Sequence, residues 1–270
     1  MTRASNTEMR LPLRDRLAVG ALLVSVASLA WAYTSHQAYV MQEMDAAMMR
    51  DMAMPMNDMA ASWSPVDAAL IFLMWTVMMA AMMVPAAAPM TAAFATINRR
   101  RRERAAPYVP TAIFLSGYVL AWSGFSLAAM ALQWLLQRAG LVTTMMQSSS
   151  AALSAALFGL AGVYQFSPLK QTCLAYCRSP QAFVLTEWRD GPTGAVVMGL
   201  RHGVFCMGCC AALMVLLFAV AVMDLRWVAA LTVLVSAEKL LPGARYLRIG
   251  IGVVLLAIGA WFAVHAWRGG

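Results

Sequence analysis

Residues 201–223 read RHGVFCMGCCAALMVLLFAVAVM. From Gly203 to Met223 there are 21 residues without a charge. At 1.5 Å per residue such a run is long enough to cross a hydrocarbon core of about 30 Å. The same run opens on one histidine and three cysteines. A candidate membrane span that begins with metal-binding side chains frames the whole chain.

Outward from this segment the pattern repeats. Of 270 residues, 62% are apolar and 12% charged, against roughly 45–50% and about 25% in soluble domains. Apolar runs predict spans at 17–34, 67–90, 111–135, 149–166, 203–223, 225–241 and 247–267. The expected fold is an all-α, polytopic membrane bundle of about seven transmembrane helices. The sixth run is the weakest, because Trp227 to Leu241 is only 15 residues, so six spans plus a re-entrant segment is the alternative. The expected organisation is a basic cytoplasmic N-terminus at 1–16, an anchor helix at 17–34, a Met-rich outside loop at 35–66 and a membrane domain at 67–267. Basic residues precede the first run and Ser28-Leu29-Ala30 loosely resembles a cleavage site. A retained anchor is nevertheless expected.

Charge placement sets the orientation. With the N-terminus inside, sixteen Lys and Arg fall on the cytoplasmic side, including Arg99, Arg100, Arg101, Arg102 and Arg104. Only Arg50, Arg138, Arg226 and Arg268 fall outside. That bias satisfies the positive-inside rule and places the chain in a bacterial cytoplasmic (inner) membrane. The net charge of +8 is thereby spent on topology, so the expected partner is the bilayer and not nucleic acid. Trp31, Trp63, Trp134 and Trp227 at the outer ends, with Tyr108, Tyr164 and Tyr246 at the inner ends, suit interfacial belts. Ala151, Ala155 and Gly159 form a small-residue stripe suited to close helix packing.

Twenty-three methionines and five cysteines carry the chemistry. Residues 41–59 hold eight methionines and no Leu, Ile or Phe; among them Met49/Met52 and Met56/Met59 would share a face in a helix. Thioethers are soft, neutral ligands that favour Cu(I). In the second span Met78/Met82 and Met79/Met83 are interleaved pairs one turn apart. Pro85 and Pro89 follow and free the carbonyls of Ala81 and Pro85. On an α-helix His202, Cys206, Cys209 and Cys210 fall within an arc of about 100°. One imidazole and three thiols on one face are a credible shell for a soft or borderline metal. Cys173 and Cys177 sit in an expected inside loop, so all five thiols map to the reducing side. Glu238–Lys239 is expected to be a helix-end pair that reaches water.

Several of these segments resemble a bacterial family of predicted metal-binding integral membrane proteins, a domain of unknown function. They are Met78-Met79-Ala80-Ala81-Met82-Met83-Val84-Pro85, Tyr164 to Lys170 with Cys173, Cys177-Arg178-Ser179-Pro180, Gly199 to Cys210 and Glu238-Lys239-Leu240. The resemblance covers about 67–262. It implies a multi-span, metal-binding fold and names neither a metal nor a reaction. The paired M-x-x-x-M motif also resembles, in function alone, the pore of eukaryotic copper uptake transporters.

The expected role is copper handling: Cu(I) captured outside, then transferred to the inside Cys/His site, by a transporter or a membrane chaperone. Three Cys and one His also suit zinc. A metal donor or acceptor protein, periplasmic or cytoplasmic, or a membrane enzyme complex is the expected protein partner. The competing readings are a thiol–disulfide oxidoreductase using Cys206/Cys209 and Cys173/Cys177, and an accessory subunit of a metalloenzyme. Reporter fusions at residues 50, 102, 185 and 270 test the topology. They are expected to read out, in, in and out. An inside signal at 50 reverses the orientation, and one at 270 removes a span.

Overall fold

Proline and small polar side chains mark where the helices start. Ser64 caps the helix beginning at Pro65 and forms a reciprocal capping box with Asp67. Ser150 and Ser167 cap the helices beginning at Ala151 and Pro168. The computed structural model describes residues 12–50, 63–103, 108–142, 148, 150–220, 222, 224–241 and 244–269, without the side chains of 44–50 and 244. The helices are α1 (Leu13–Arg50), α2 (Pro65–Met83), α3 (Ala88–Glu103), α4 (Thr111–Arg138), α5 (Ala151–Gln165) and α6 (Pro168–Arg178). They continue as α7 (Pro180–Thr186), α8 (Gly191–Val215), α9 (Leu217–Val220), α10 (Leu225–Leu240) and α11 (Ala244–Gly269). No β-strand occurs among the described residues.

Five stretches are long and apolar enough to cross a membrane: Leu13–Glu43, Pro65–Met83, Thr111–Arg138, Gly191–Val220 and Arg245–Arg268. The pair α5 and α6, bent by 63°, supplies a sixth if read as one broken span. The expected seventh, α10, has 16 residues and falls short of that length. Large apolar side chains such as Leu70, Leu120, Leu127, Val233 and Val253 cover the outside of the bundle. The interior holds Trp75, Trp122, Tyr118 and the methionines of α2.

Four expected boundaries are corrected. The anchor expected at 17–34 continues as one helix to Arg50, because 35–50 lacks Gly and Pro and is rich in Ala, Met, Gln and Glu. The loop expected at 35–66 is therefore helical in its first part. The span expected at 67–90 stops at Met83, where Pro85 forces a 3₁₀ turn over Pro85–Ala87 before α3 resumes. The helix expected from 203 begins at Gly191, ahead of Arg201. Arg201 does not end it because its guanidinium pairs with Glu187. Cys173 and Cys177 lie on α6 and not in a loop, since Ser167 and Pro168 start a helix there.

Two helix pairs hold the bundle. α4 lies against α8, and α5 against α11. A methyl group at Gly199 would overlap the Phe114 carbonyl, and one at Gly117 the Val196 carbonyl. Small residues of this kind let membrane helices touch backbone to backbone. The Ala155/Gly159 stripe is used in the same way against Gly259 of α11. Ion pairs Asp15–Arg99, Arg101–Asp190 and Glu187–Arg201 tie together segments that the charge bias assigns to one side.

Trp31 does more than sit in a belt. Its indole N–H donates to the Ala81 carbonyl at 3.1 Å, the group that Pro85 leaves without a helical partner. Packing is tightest at the α4–α8 contact, so Gly199→Leu should destabilise the fold by about 3 kcal/mol or more. Gly124→Leu, with nothing within 4 Å of its added Cβ, should leave the thermal unfolding midpoint unchanged. Equal midpoints for both variants would contradict the packing described.

Candidate metal centre

Cys206 lies near the middle of α8, about 22 Å from its start at 1.5 Å per residue. The sulfurs of Cys206, Cys209 and Cys210 all fall within 4.8 Å of one another and are buried. Local geometry gathers them. The thiols of Cys209 and Cys210 donate to the Cys206 carbonyl at 3.0 and 2.9 Å, folding both sulfurs back along the helix. Cys177, from α6, lies within thiol–thiol hydrogen-bonding reach of Cys206 and Cys209. Cys173, one turn earlier, packs on Gly208, where any side chain would displace it.

Other helices close the site. Met83, the last residue of α2, places its Sδ 3.8 Å from the Cys210 sulfur. The Tyr118 hydroxyl of α4 is 3.0 Å from the Cys206 sulfur and donates to the Met83 carbonyl at 3.1 Å. Lys239 of α10 donates to the Cys206 sulfur at 2.8 Å. Met78, Met79, Met82 and Met83 are all buried in the same core as the three thiols.

His202 stands apart from the sulfur group. Its ring stacks on Tyr118 at a centroid distance of 5.3 Å and lies beside Phe114 and Phe183. Its Nδ1 is buried without a partner. The structure thus brings together Cys206, Cys209, Cys210 and Cys177, with Met83 touching them, and leaves His202 one layer away behind Tyr118. The side chain of Met49, and Met52, Met56 and Met59 entire, lie outside the described residues.

The site sits where helices are interrupted. One interruption is the turn after Met83, the other the 63° bend between α5 and α6. Side chains complete the backbone there. Arg248 donates to the Gln165 carbonyl at 3.0 Å, Gln171 to the Phe166 carbonyl, and Tyr164 to the Gly208 carbonyl. Irregular backbone at membrane depth is tolerated only when protein groups satisfy it. Tyr164 is accordingly an internal donor and not the interfacial residue expected.

Two charged residues were placed wrongly by sequence reasoning. Glu238 and Lys239 do not form a water-facing helix-end pair. Glu238 accepts from Lys170 at 2.7 Å, with side-chain exposures of 2% and 0%. Lys239, about 100° further round α10, turns to the cysteines. The available signal was charge within an apolar segment, which marks a functional position by default. Lys170, Glu238 and Lys239 also lie in the segments that carry the family resemblance. Nothing singles out Tyr118, one aromatic among many.

Chemically, this is a dry pocket of thiols with a thioether at its edge and an ammonium against one sulfur. Soft sulfur ligands suit Cu(I), and four thiols would also accept tetrahedral zinc. Residues 72–262 match the model of a family described as PpoB2, copper chaperone. Neither a curated protein nor a solved structure matches the chain.

Proposed function

The chain belongs to the PpoB2 copper chaperone family, and from that premise we propose that it is a membrane-embedded chaperone that takes up Cu(I) as cargo and holds it on buried thiols. The observation that carries this reading is the 3.8 Å contact between Met83 Sδ and Cys210 Sγ, where the thioethers of α2 meet the thiols of α8. Met78, Met82, Met79 and Met83 would pass the ion along α2, one turn at a time. Cys206, Cys209, Cys210 and Cys177 would hold it, with Cys173 next in line on α6. Neutral thioethers bind Cu(I) weakly enough to release it, whereas thiolates hold it more firmly. A route needs sites favourable enough to enter and weak enough to leave.

In this reading the N-terminus is cytoplasmic, the membrane is the bacterial inner membrane, and Met49, Met52, Met56 and Met59 collect copper outside. Residues 67–267 form the metal-binding membrane domain behind the anchor helix. His202 serves the site through Tyr118, as packing behind the thiols. A copper-requiring enzyme or a second metal carrier would receive the ion.

The test is metal analysis of the full chain purified under reducing conditions. The wild type is expected to retain copper. Cys206→Ser with Cys209→Ser should lose it almost entirely, while the protein still elutes as a folded bundle. Unchanged copper in that variant, or a Cys206–Cys209 disulfide trapped in cells, would favour the thiol–disulfide oxidoreductase instead.

A further inference from the structure

The buried charged side chains among the described residues are Lys170, Glu238, Lys239 and Arg248. Lys170 and Glu238 neutralise each other at 2.7 Å. Arg248 rests on the carbonyl that ends α5, where the helix dipole is negative. Lys239 has no carboxylate beside it. Its ammonium lies 2.8 Å from the Cys206 sulfur, with the sulfurs of Cys209 and Cys210 close by. A lone ammonium in a water-free bundle is costly unless an anion accompanies it.

Charge counting on the sulfur site identifies that anion. Metal binding displaces thiol protons, and Cu(I) held between two thiolates carries a net charge of −1. With no counter-ion that charge would be as costly to bury as the ammonium alone. Together the two sum to zero. An ammonium has three donors and no lone pair, so Lys239 cannot itself ligate the metal.

We propose that Lys239 is the resident counter-cation that allows the buried site to hold Cu(I) between two thiolates, one of them Cys206. The proposal rests on the copper reading above and adds a positioning residue on α10, outside the ligand set. It also gives Glu238 and Lys170 a role. Their mutual neutralisation keeps the neighbouring carboxylate from competing with the thiolates for Lys239.

The experiment uses the full chain in detergent, freed of metal under reducing, anaerobic conditions, and titrated with Cu(I) against a chromogenic Cu(I) chelator. Three proteins are compared: wild type, Lys239→Met and Lys239→Arg. Methionine keeps the length and apolar stem while removing the charge. Apo Lys239→Met is expected to be at least as heat-stable as wild type, because an uncompensated buried charge is gone. Its Cu(I) affinity should fall by about a hundredfold or more, the scale of stranding one charge of a buried pair. Lys239→Arg should keep affinity within a few-fold of wild type.

A Lys239→Met protein that binds Cu(I) as wild type does would overturn the proposal. Loss of affinity in both variants would do so too, since the charge would then not be what matters. A Lys239→Met apo-protein that is less stable or fails to accumulate would assign Lys239 a structural role instead. Failure of the wild type to bind Cu(I) would sink the copper reading itself, a different result from any of these.

Discussion

A hydrocarbon environment offers no water to complete the hydrogen bonds of an interrupted helix, so every break must be closed by the protein. This chain has two such breaks in its core, after Met83 and between α5 and α6. Much of its interior is arranged to close them. Trp31 reaches Ala81, Tyr118 reaches Met83, and Arg248 reaches Gln165. The groups that close the breaks also define the site. Tyr118 touches both the Met83 carbonyl and the Cys206 sulfur, so the end of the methionine helix and the thiols are held in one register.

Close packing makes that register possible. The Gly117 and Gly199 contacts bring α4 and α8 together along their backbones, which sets Tyr118 against His202 and Cys206. On the far side, α6 crosses α8 with Cys173 on Gly208 and Tyr176 stacked on Phe205 at 4.3 Å. α10 adds Glu238 and Lys239 from a third direction. Four separate stretches of sequence thus converge on a few cubic ångströms of sulfur chemistry, as the stability of a buried polar cluster requires.

The helical, membrane-capable character was legible from composition and run length alone, since both follow from the thickness of the bilayer. So was the common face of Cys206, Cys209 and Cys210, fixed by helical periodicity. Periodicity could not show that His202 turns into an aromatic stack of Tyr118, Phe114 and Phe183, because those rings come from other helices. Nor could it show that Arg201 lies within a helix, since its neutralisation by Glu187 is a tertiary contact. Lys239 was visible as a charge in an apolar segment, but its partner Cys206 is 33 residues away. The Pro85 break was legible, whereas the donor that repairs it, Trp31, was not.

The central claim is that copper is held by sulfur inside the bundle. X-ray absorption at the copper edge of the loaded full-length protein measures this directly. The account predicts a Cu(I) edge and a first shell of sulfur alone, contributed by the thiols around Cys206 and the thioether of Met83. A first shell of nitrogen and oxygen, or an edge characteristic of Cu(II), would contradict it.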